Sequence, residues 1–260
     1  MSETKPYKGT QAISRTIRLL SLFSDARPQW SLPELVETLK LNRTTVYRLL
    51  SVVEDAEWVV RDPQTELYRL GSEMIALGGR AQRANRLRTV ALPHLRELAT
   101  LTGETASLEI LSGRDVVLIE EIAGQHVMSG AQEVGSRWPA HTTSTGKAIL
   151  AYLTAAEQNS FLELALSHHT KHTLTSAAAL REQLAMIHQR GYAIAAEELE
   201  LGYTSVGAPI FNHEGEVVAA LSIGGATVRL QEHLAAYGAQ LGQATAAISH
   251  QLGHRTLTNK

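Results

Sequence analysis

The sequence predicts an α+β protein in which a winged helix-turn-helix precedes a domain built on an antiparallel sheet. Three observations carry this prediction. Apolar residues recur at helical spacing from Ile13 to Ala56, a hairpin pattern follows directly, and strand-like alternation begins at Thr105. At 260 residues, the chain is also long enough for two domains.

The N-terminal third contains three helical patterns in close succession. The first starts near Ile13 and is expected to end by residues 25–28, because Pro28 cannot continue a helix. Residues 31–34, Ser-Leu-Pro-Glu, have the form of a capping box that opens the second helix. Asn42 then caps a third helix that runs to about Ala56. Helix, helix, short turn and helix is the order of a helix-turn-helix.

A β-hairpin is predicted directly after the third helix. Residues 58–61 and 66–70 read as two short strands around a turn that contains Pro63. We therefore expect four segments along the chain: a flexible arm over residues 1–10, a winged helix-turn-helix over 11–71, a linker helix over 72–90 and a second domain over 91–260.

The second domain mixes strands with helices. A hairpin is predicted from residues 106–111 and 115–122, and further strands at 192–195, 205–211 and 217–223. Helices are predicted over residues 146–153, 156–166, 177–190 and 230–252, the third of them ending at Gly191. This pattern indicates an antiparallel-rich sheet with helices packed against it.

Composition excludes several classes of protein. The chain has no cysteine, so disulfide scaffolds, cysteine zinc sites, iron–sulfur clusters and thiol catalysis are ruled out. Residues 2–11 lack the apolar core of a signal peptide, and the most apolar run, residues 217–226, is too short to span a bilayer. A cytoplasmic protein without a cofactor is expected. Residues 1–90 carry 14 Lys and Arg against 10 Asp and Glu, and residues 91–260 carry 10 against 16, a balance that suggests an anion-binding module in the first part.

The third helix has the side chains of a DNA-recognition helix. If its apolar residues are buried, the opposite face presents Thr44, Tyr47, Arg48 and Ser51, flanked by Arg43 and Thr45. Such groups contact base edges and phosphates in the major groove. Four more arginines are expected to bind backbone phosphates on either side: Arg15, Arg18, Arg61 and Arg69. A winged domain that contacts another protein is the alternative.

Two further motifs have competing interpretations. Ser144 and Lys147 fit the Ser-x-x-Lys spacing of serine acyl-transfer enzymes, but the companion motifs of those enzymes are absent. A polar turn whose free amides bind a carboxylate is the better interpretation, and His141 precedes it. His168, His169 and His172 have the spacing of a metal pair, but exposed histidines at a helix end explain them as well, and we expect no metal.

The sequence resembles the IclR family of bacterial transcription regulators over nearly its whole length. Seven stretches carry the resemblance in order: Leu32-Pro33-Glu34-Leu35, Leu41-Asn42-Arg43-Thr44-Thr45-Val46-Tyr47-Arg48-Leu49-Leu50, Tyr68-Arg69-Leu70-Gly71, Trp138-Pro139-Ala140-His141-Thr142-Thr143-Ser144-Thr145-Gly146-Lys147-Ala148, Arg190-Gly191-Tyr192, Gly202-Tyr203-Thr204-Ser205-Val206-Gly207-Ala208-Pro209 and Ala219-Ala220-Leu221-Ser222-Ile223.

The resemblance implies a ligand-responsive repressor or activator with a GAF-like effector-binding domain. It also implies homodimers, often paired into homotetramers, on palindromic double-stranded DNA operators. The effector is implied to be a small organic acid or aromatic catabolite that controls a catabolic operon. A serine hydrolase using Ser144 and Lys147, or a sensor that does not bind DNA, remain alternatives.

The effector pocket is expected on residues scattered along the second domain: His141, Ser144, Thr145, Gly146, Ser205, Ser222 and Gly224. All of these except His141 and Gly146, which the polar turn itself suggests, are implied by the resemblance. The sequence departs from the family pattern at three of the pocket positions. Ser205 stands in place of a cysteine, Ala195 in place of an acidic residue and Gly224 in place of a second serine. These changes predict a roomier pocket and an effector larger than glyoxylate, aromatic or sugar-derived, with its carboxylate at the 144–146 turn.

Overall fold

The computed structural model describes residues 10–126 and 133–255 and divides the chain into two compact units, with the division between Ala84 and Asn85. Each unit has a hydrophobic core of its own, as expected of separate domains. Apart from Thr10, the arm predicted for residues 1–10 lies outside the described residues. None of the described helices is long and apolar enough to cross a bilayer.

The N-terminal unit is a winged helix-turn-helix, as the sequence predicts. Its elements are α1 (Gln11–Leu20), α2 (Leu32–Leu39), α3 (Arg43–Asp55), β1 (Val59–Arg61), β2 (Tyr68–Leu70) and α4 (Ser72–Ala84). The two strands pair antiparallel, with Val59 opposite Leu70. The backbone of Trp30 forms a further bridge to Tyr68, which ties the segment before α2 to the hairpin.

Both predicted N-caps are present in this unit. The hydroxyl of Ser31 accepts from the amide of Glu34 while the Glu34 carboxylate accepts from the Ser31 amide, which completes the capping box. Asn42 accepts from the amide of Thr45 at 2.8 Å and so fixes the start of α3. The first helix is shorter than predicted. It ends at Leu20, because the amides of Leu22 and Phe23 bond to carbonyls only three residues earlier.

The linker helix expected over residues 72–90 is interrupted in the structure. α4 ends at Ala84, and a new helix, α5 (Arg86–Thr102), begins after Asn85, whose side chain accepts from the amide of Arg88 at 3.1 Å. Pro93 lies inside α5. Asn85 ends one helix and caps the next because asparagine favours the N-cap over the helix interior.

The C-terminal unit contains a six-stranded antiparallel sheet with the order β5-β4-β3-β8-β7-β6. Its strands are β3 (Thr105–Ser112), β4 (Asp115–Ile122), β5 (Arg137–Pro139), β6 (Ala193–Ala196), β7 (Tyr203–Phe211) and β8 (Val217–Ala226). Its helices after α5 are α6 (Ser144–Leu150), α7 (Ala155–Leu162), α8 (Ala177–Arg190), α9 (Thr227–Leu230) and α10 (Leu234–Gln251), and a 3₁₀ turn spans Ala140–Thr142.

Helices cover both faces of this sheet. One core packs α5 and α10 against one face, and a second core packs α6 and α8 against the other. On β8, Leu221 and Ile223 belong to the first core and Ala220 to the second, as strand alternation requires. The predicted single helix over residues 230–252 is two helices here, α9 and α10, because the chain turns after Leu230, where the amide of His233 bonds to the Leu230 carbonyl.

Strand alternation also brings polar residues together on the α6 face. Ser107 and Glu109 alternate with the apolar core residues Ala106 and Leu108 along β3. Ser222 on β8 lies directly opposite Ser107. A group of polar side chains therefore lies between the sheet and α6, where it forms the wall of a cavity.

Candidate functional site

The exposed face of α3 carries the side chains predicted to read DNA. Val46, Leu50 and Val53 are buried in the N-terminal core. Six predicted side chains lie on the opposite face. Four of them are exposed, namely Arg43, Thr44, Tyr47 and Arg48, and two are half-buried, namely Thr45 and Ser51. The Ser51 hydroxyl already donates to the Tyr47 carbonyl at 3.1 Å. The remaining groups are free to contact base edges and phosphates.

The four flanking arginines lie on α1 and on the hairpin. Arg18 on α1 is exposed and Arg15 is half-buried, while Arg61 and Arg69 on the wing are exposed. Arg61 forms an ion pair with Glu66 across the hairpin. Because an exposed pair contributes at most about 1 kcal/mol, this contact can be exchanged for a phosphate at little cost.

The predicted effector pocket is a narrow cavity of about 30 Å³ between the sheet and α6. Ten described residues line it: Ser107, Glu109, Trp138, Thr143, Ser144, Thr145, Leu199, Tyr203, Ser205 and Ser222. Of the residues that the sequence assigned to the pocket, the cavity brings together Ser144, Thr145, Ser205 and Ser222. It does not include His141, Gly146 or Gly224.

His141 and Gly146 have structural contacts instead. The imidazole of His141 is 2% exposed and bonds to the Ser167 carbonyl at 2.9 Å, and burial lowers its pKa. The amide of Gly146 donates to the Thr143 hydroxyl at 3.0 Å, which caps α6. The Gly146 amide is thus bonded to Thr143, whereas the amides of Ser144 and Thr145 have no acceptor among the described residues.

Gly207 allows the start of α6 to lie against the sheet. A Cβ at this position of β7 would come within 2.8–2.9 Å of the Ser144 carbonyl group and the Thr145 amide nitrogen. Any larger residue would push α6 away from β7. The two free amides are therefore held at the cavity wall by backbone packing.

The expected enlargement of the pocket is absent, because Tyr203 fills the space. A Cβ on Gly224 would collide with the Tyr203 hydroxyl, so the glycine makes room for the phenol rather than for a ligand. Burial raises the pKa of Tyr203, so its phenol is neutral at physiological pH. A cavity of about 30 Å³ holds water but not a metabolite.

Glu109 is a pocket residue that the sequence analysis missed. Its carboxylate accepts from the Thr145 hydroxyl at 2.5 Å and from the Ser107 hydroxyl at 3.2 Å. Burial raises its pKa to about 7, and these two hydrogen bonds only partly offset that effect. The alternation of Ser107 and Glu109 with Ala106 and Leu108 was the signal that could have found it.

The geometry does not support the serine hydrolase. The Ser144 hydroxyl is buried without a hydrogen-bond partner, so Lys147 does not bond to it. Lys147 donates instead to the Glu198 carboxylate at 2.5 Å and to the Ile194 carbonyl at 2.6 Å. A nucleophile needs its base within hydrogen-bond reach.

Two of the three histidines considered as a possible metal site, His169 and His172, have other contacts. His169 bonds to the Ser167 hydroxyl at 2.9 Å, and His172 lies 3.4 Å from the Glu197 carboxylate. Across residues 10–126 and 133–255, no cluster of three or more histidine, aspartate or glutamate side chains is arranged to hold a metal ion.

Comparison with known proteins gives the family. Residues 12–63 match the IclR helix-turn-helix domain, and residues 80–250 match the family described as bacterial transcriptional regulator IclR C-terminal. The chain is 34% identical over 246 residues to the HTH-type transcriptional regulator XynR of Escherichia coli strain K12, covering 94% of this chain and 98% of XynR. It is 31% identical over 232 residues to the HTH-type transcriptional repressor AllR of the same strain, covering 89% and 86%.

A solved structure agrees with this result. An IclR homolog from Microbacterium hydrocarbonoxydans, crystallised in complex with 4-hydroxybenzoate, superimposes with a TM-score of 0.79 at 27% identity and covers 93% of this chain and 99% of that one. With a winged helix-turn-helix, a small cavity in the second unit and two matching family profiles, the chain belongs to the IclR family of bacterial transcription regulators and is a ligand-responsive regulator of that type.

Proposed function

We propose that this protein is a repressor that binds the operator of a catabolic operon and releases it when a small metabolite occupies the cavity beside α6. The observation that carries the proposal is the exposed face of α3, where arginine, threonine and tyrosine side chains surround a capped helix start. That the relative AllR is named a repressor favours repression over activation.

The residues of the N-terminal unit have different roles in this proposal. Thr44, Thr45, Tyr47 and Arg48 on α3 contact base edges, because they lie at the end of the helix that enters the groove. Phosphates are bound by arginines on three elements: Arg43 on α3, Arg15 and Arg18 on α1, and Arg61 and Arg69 on the wing.

The effector in this proposal is an aromatic or sugar-derived metabolite with a carboxylate. Its carboxylate accepts from the free amides of Ser144 and Thr145, and Ser205 and Ser222 contact the rest of the molecule. The Microbacterium homolog is complexed with 4-hydroxybenzoate, which is an aromatic carboxylate, and this supports an acidic ligand for this fold.

The small cavity gives this proposal a mechanism for regulation. A metabolite larger than about 30 Å³ enters only if Leu199, Tyr203 or their neighbours move. The liganded and unliganded forms must then differ, and a ligand that prefers one form shifts the population toward it. We propose that the segment over residues 72–90 transmits this shift between the two copies of a dimer.

A homodimer on a palindromic operator, with pairing into tetramers, is part of the proposal. Ile13 and Ile17 lie one turn apart on α1 and are 61% and 58% exposed, and Ile75 on α4 is 80% exposed. Exposed apolar residues in such groups are typical of contact surfaces between subunits.

Fluorescence anisotropy with DNA from the gene's own upstream region tests the proposal. We expect tighter binding to this fragment than to unrelated DNA of equal length, with a steep dependence of affinity on salt concentration. Equal affinity for the two fragments at every salt concentration would contradict operator recognition. Footprinting on the bound fragment then locates the operator.

The regulatory interpretation also predicts the absence of hydrolase activity. Purified protein should turn over 4-nitrophenyl acetate at the same rate as its Ser144→Ala variant, because Ser144 has no base beside it. Turnover that disappears in the variant would support the hydrolase instead.

A further inference from the structure

Glu109 lines the cavity together with Ser107 and Ser222, and these three groups offer a ligand hydrogen-bond acceptors. Ser107 and Ser222 have their hydroxyl oxygens 2.7 Å apart, and Ser107 also lies within hydrogen-bond distance of Glu109. Each serine has a single proton to donate. The arrangement that satisfies all three groups has Ser222 donating to Ser107 and Ser107 donating to Glu109.

What Ser107, Glu109 and Ser222 have left for a ligand is therefore mostly lone pairs. An ionised carboxylate has about four acceptor positions, and Thr145 and Ser107 occupy two of those on Glu109. Ser222 has spent its proton on Ser107 and keeps acceptor capacity. A ligand group placed here gains hydrogen bonds only if it is a donor, and a bare hydrocarbon or aromatic edge would leave a buried carboxyl without compensation.

The charge on Glu109 also has no counter-ion in the cavity wall. None of the ten described lining residues is lysine, arginine or histidine. Lys147, the buried cation of α6, is 2.5 Å from Glu198. A second carboxylate placed against Glu109 would be repelled, so the acidic end of an effector must point elsewhere.

We propose that Glu109 selects the chemical class of effector, and that this class is the polyhydroxylated acids of the aldonate type. The hydroxyl groups of the ligand donate to Glu109 and to the serine pair Ser107–Ser222. This inference rests on the proposed function, which places the ligand's carboxylate at the amides of Ser144 and Thr145. It decides between the aromatic and the sugar-derived effectors in favour of the latter.

The arrangement of the acceptors favours a ligand with several hydroxyl groups over one with a single ammonium ion. The acceptors are spread over two strands, at Ser107 and Glu109 on β3 and at Ser222 on β8, so they match a chain of hydroxyl groups better than one point charge. Burial also raises the pKa of Glu109 to about 7, which leaves the carboxyl partly neutral at physiological pH. A partly neutral carboxyl still exchanges hydrogen bonds with hydroxyl groups but attracts a cation only weakly.

Titration calorimetry on the full-length protein tests the inference with four matched sets of probes, each of four to six carbons. Aldonates such as D-gluconate have a carboxylate and hydroxyl groups, alditols such as D-sorbitol have only the hydroxyl groups, and alkanoates such as hexanoate have only the carboxylate. Amino acids such as 6-aminohexanoate replace the hydroxyl groups with a terminal ammonium. We expect at least one aldonate to bind ten or more times more tightly than the alkanoate of its length.

Variants connect this preference to Glu109. Glu109→Leu should lose at least tenfold in aldonate affinity and none in alkanoate affinity, and Glu109→Gln, which keeps one acceptor oxygen, should lose less. Circular dichroism and gel filtration report whether either variant is misfolded, and Ser222→Ala tests the same acceptor group without touching the carboxyl. Glu232→Gln, on an exposed residue, is the matched control.

The other possible outcomes overturn either the role of Glu109 or the proposed function. The inference would be refuted if alkanoates or 4-hydroxybenzoate bound as tightly as aldonates, or if the amino acids bound more tightly. It would also be refuted if no aldonate bound at 10 mM, or if the Glu109 and Ser222 variants both kept their affinity for aldonates. Alditols that bind as tightly as aldonates would refute the carboxylate contact of the proposed function and leave the role of Glu109 intact. Failure to bind the upstream DNA would refute the proposed function independently.

Discussion

Glu109 is a buried acid whose ionisation works against folding. Its carboxyl is 6% exposed and has no cation beside it among the lining residues, so burial raises its pKa from 4.5 to about 7. Between these values the folded protein holds a proton that the unfolded chain has released. Stability therefore falls as the pH rises through this window, since the folded state binds more protons than the unfolded state.

Glu109→Gln should remove this pH dependence. A shift from 4.5 to about 7 corresponds to at most about 3 kcal/mol, so the free energy of unfolding of the variant relative to wild type should rise by up to that amount from pH 5 to pH 8. Urea unfolding at four pH values measures it, with the exposed Glu232→Gln as control. A constant difference between variant and wild type over this range would show that Glu109 ionises normally.

Two arginines of the N-terminal unit should separate base reading from phosphate binding. Arg48 lies on the exposed face of α3, and Arg61 lies on the wing beside Glu66. Arg48→Ala should reduce affinity for the operator by about 1–3 kcal/mol and affinity for unrelated DNA much less. Arg61→Ala should weaken both DNAs about equally and reduce the salt slope by about one. Anisotropy on both fragments distinguishes them, and identical profiles would contradict the assignment.

Local patterns identified the pocket residues that lie close together in the chain, the family resemblance added Ser205 and Ser222 on the sheet, and Glu109 was missed. Ser144 and Thr145 belong to one turn, and a turn with free amides is visible as a local pattern. Glu109 meets Thr145 only because β3 and α6 pack together, at a separation of 36 residues. The fit of Tyr203 against Gly224 has the same origin, since it depends on the pairing of β7 with β8. The prediction of a larger pocket failed for this reason.

At the scale of elements, a buried ion pair fixes the turn between β6 and β7 to α6. Lys147 is fully buried, and its ammonium contacts the Glu198 carboxylate and the Ile194 carbonyl. Burial lowers the pKa of Lys147 and raises that of Glu198, while their mutual attraction opposes both shifts. Thr173 also donates to the Glu198 carbonyl at 2.7 Å. The next residue, Leu199, lines the cavity, so this pair holds one of its walls.

Lys147→Met should destabilise the protein by about 3–5 kcal/mol, because it leaves the Glu198 carboxylate buried without a partner. The double variant Lys147→Met, Glu198→Leu should recover most of that loss, since it removes both charges. Chemical unfolding measures all three proteins. Arg80→Met, which breaks the exposed pair of Arg80 with Glu73, should cost less than about 1 kcal/mol and serves as the control. A double variant as unstable as the single one would contradict this account.

Elements with a complete local signal were predicted well. Ser31 and Asn42 are the N-caps at which α2 and α3 begin, and the glycine after Arg190 is the left-handed C-cap at which α8 ends. β5 has no such signal, since its three residues are a strand only through pairing with Asp115–Val117. Asn85 was overlooked because an asparagine inside a helical pattern is compatible with both a continuous helix and a cap.

At the scale of the whole molecule, the charge distribution and the separate cores of the two units agree with a division of labour. The N-terminal part carries the excess of arginine and lysine, and the C-terminal unit contains the small cavity beside α6. In the proposed dimer, such a division regulates transcription only if occupation of the cavity changes how the two DNA-binding units engage one operator. The symmetry of DNA binding would then be a property of the assembly rather than of any residue.

A dimer on an inverted repeat should respond sharply to damage of one half-site. Two copies of the N-terminal unit neutralise about twice as many phosphates as one, and the slope of log affinity against log salt is about −0.9 per phosphate. Scrambling one half-site should lower affinity on the order of a hundredfold and bring the slope near that for unrelated DNA. The same number of base changes outside the footprint is the control. A slope and an affinity unchanged by the loss of either half-site would mean that a single copy reads the operator, and the proposed dimer would then have no part in recognition.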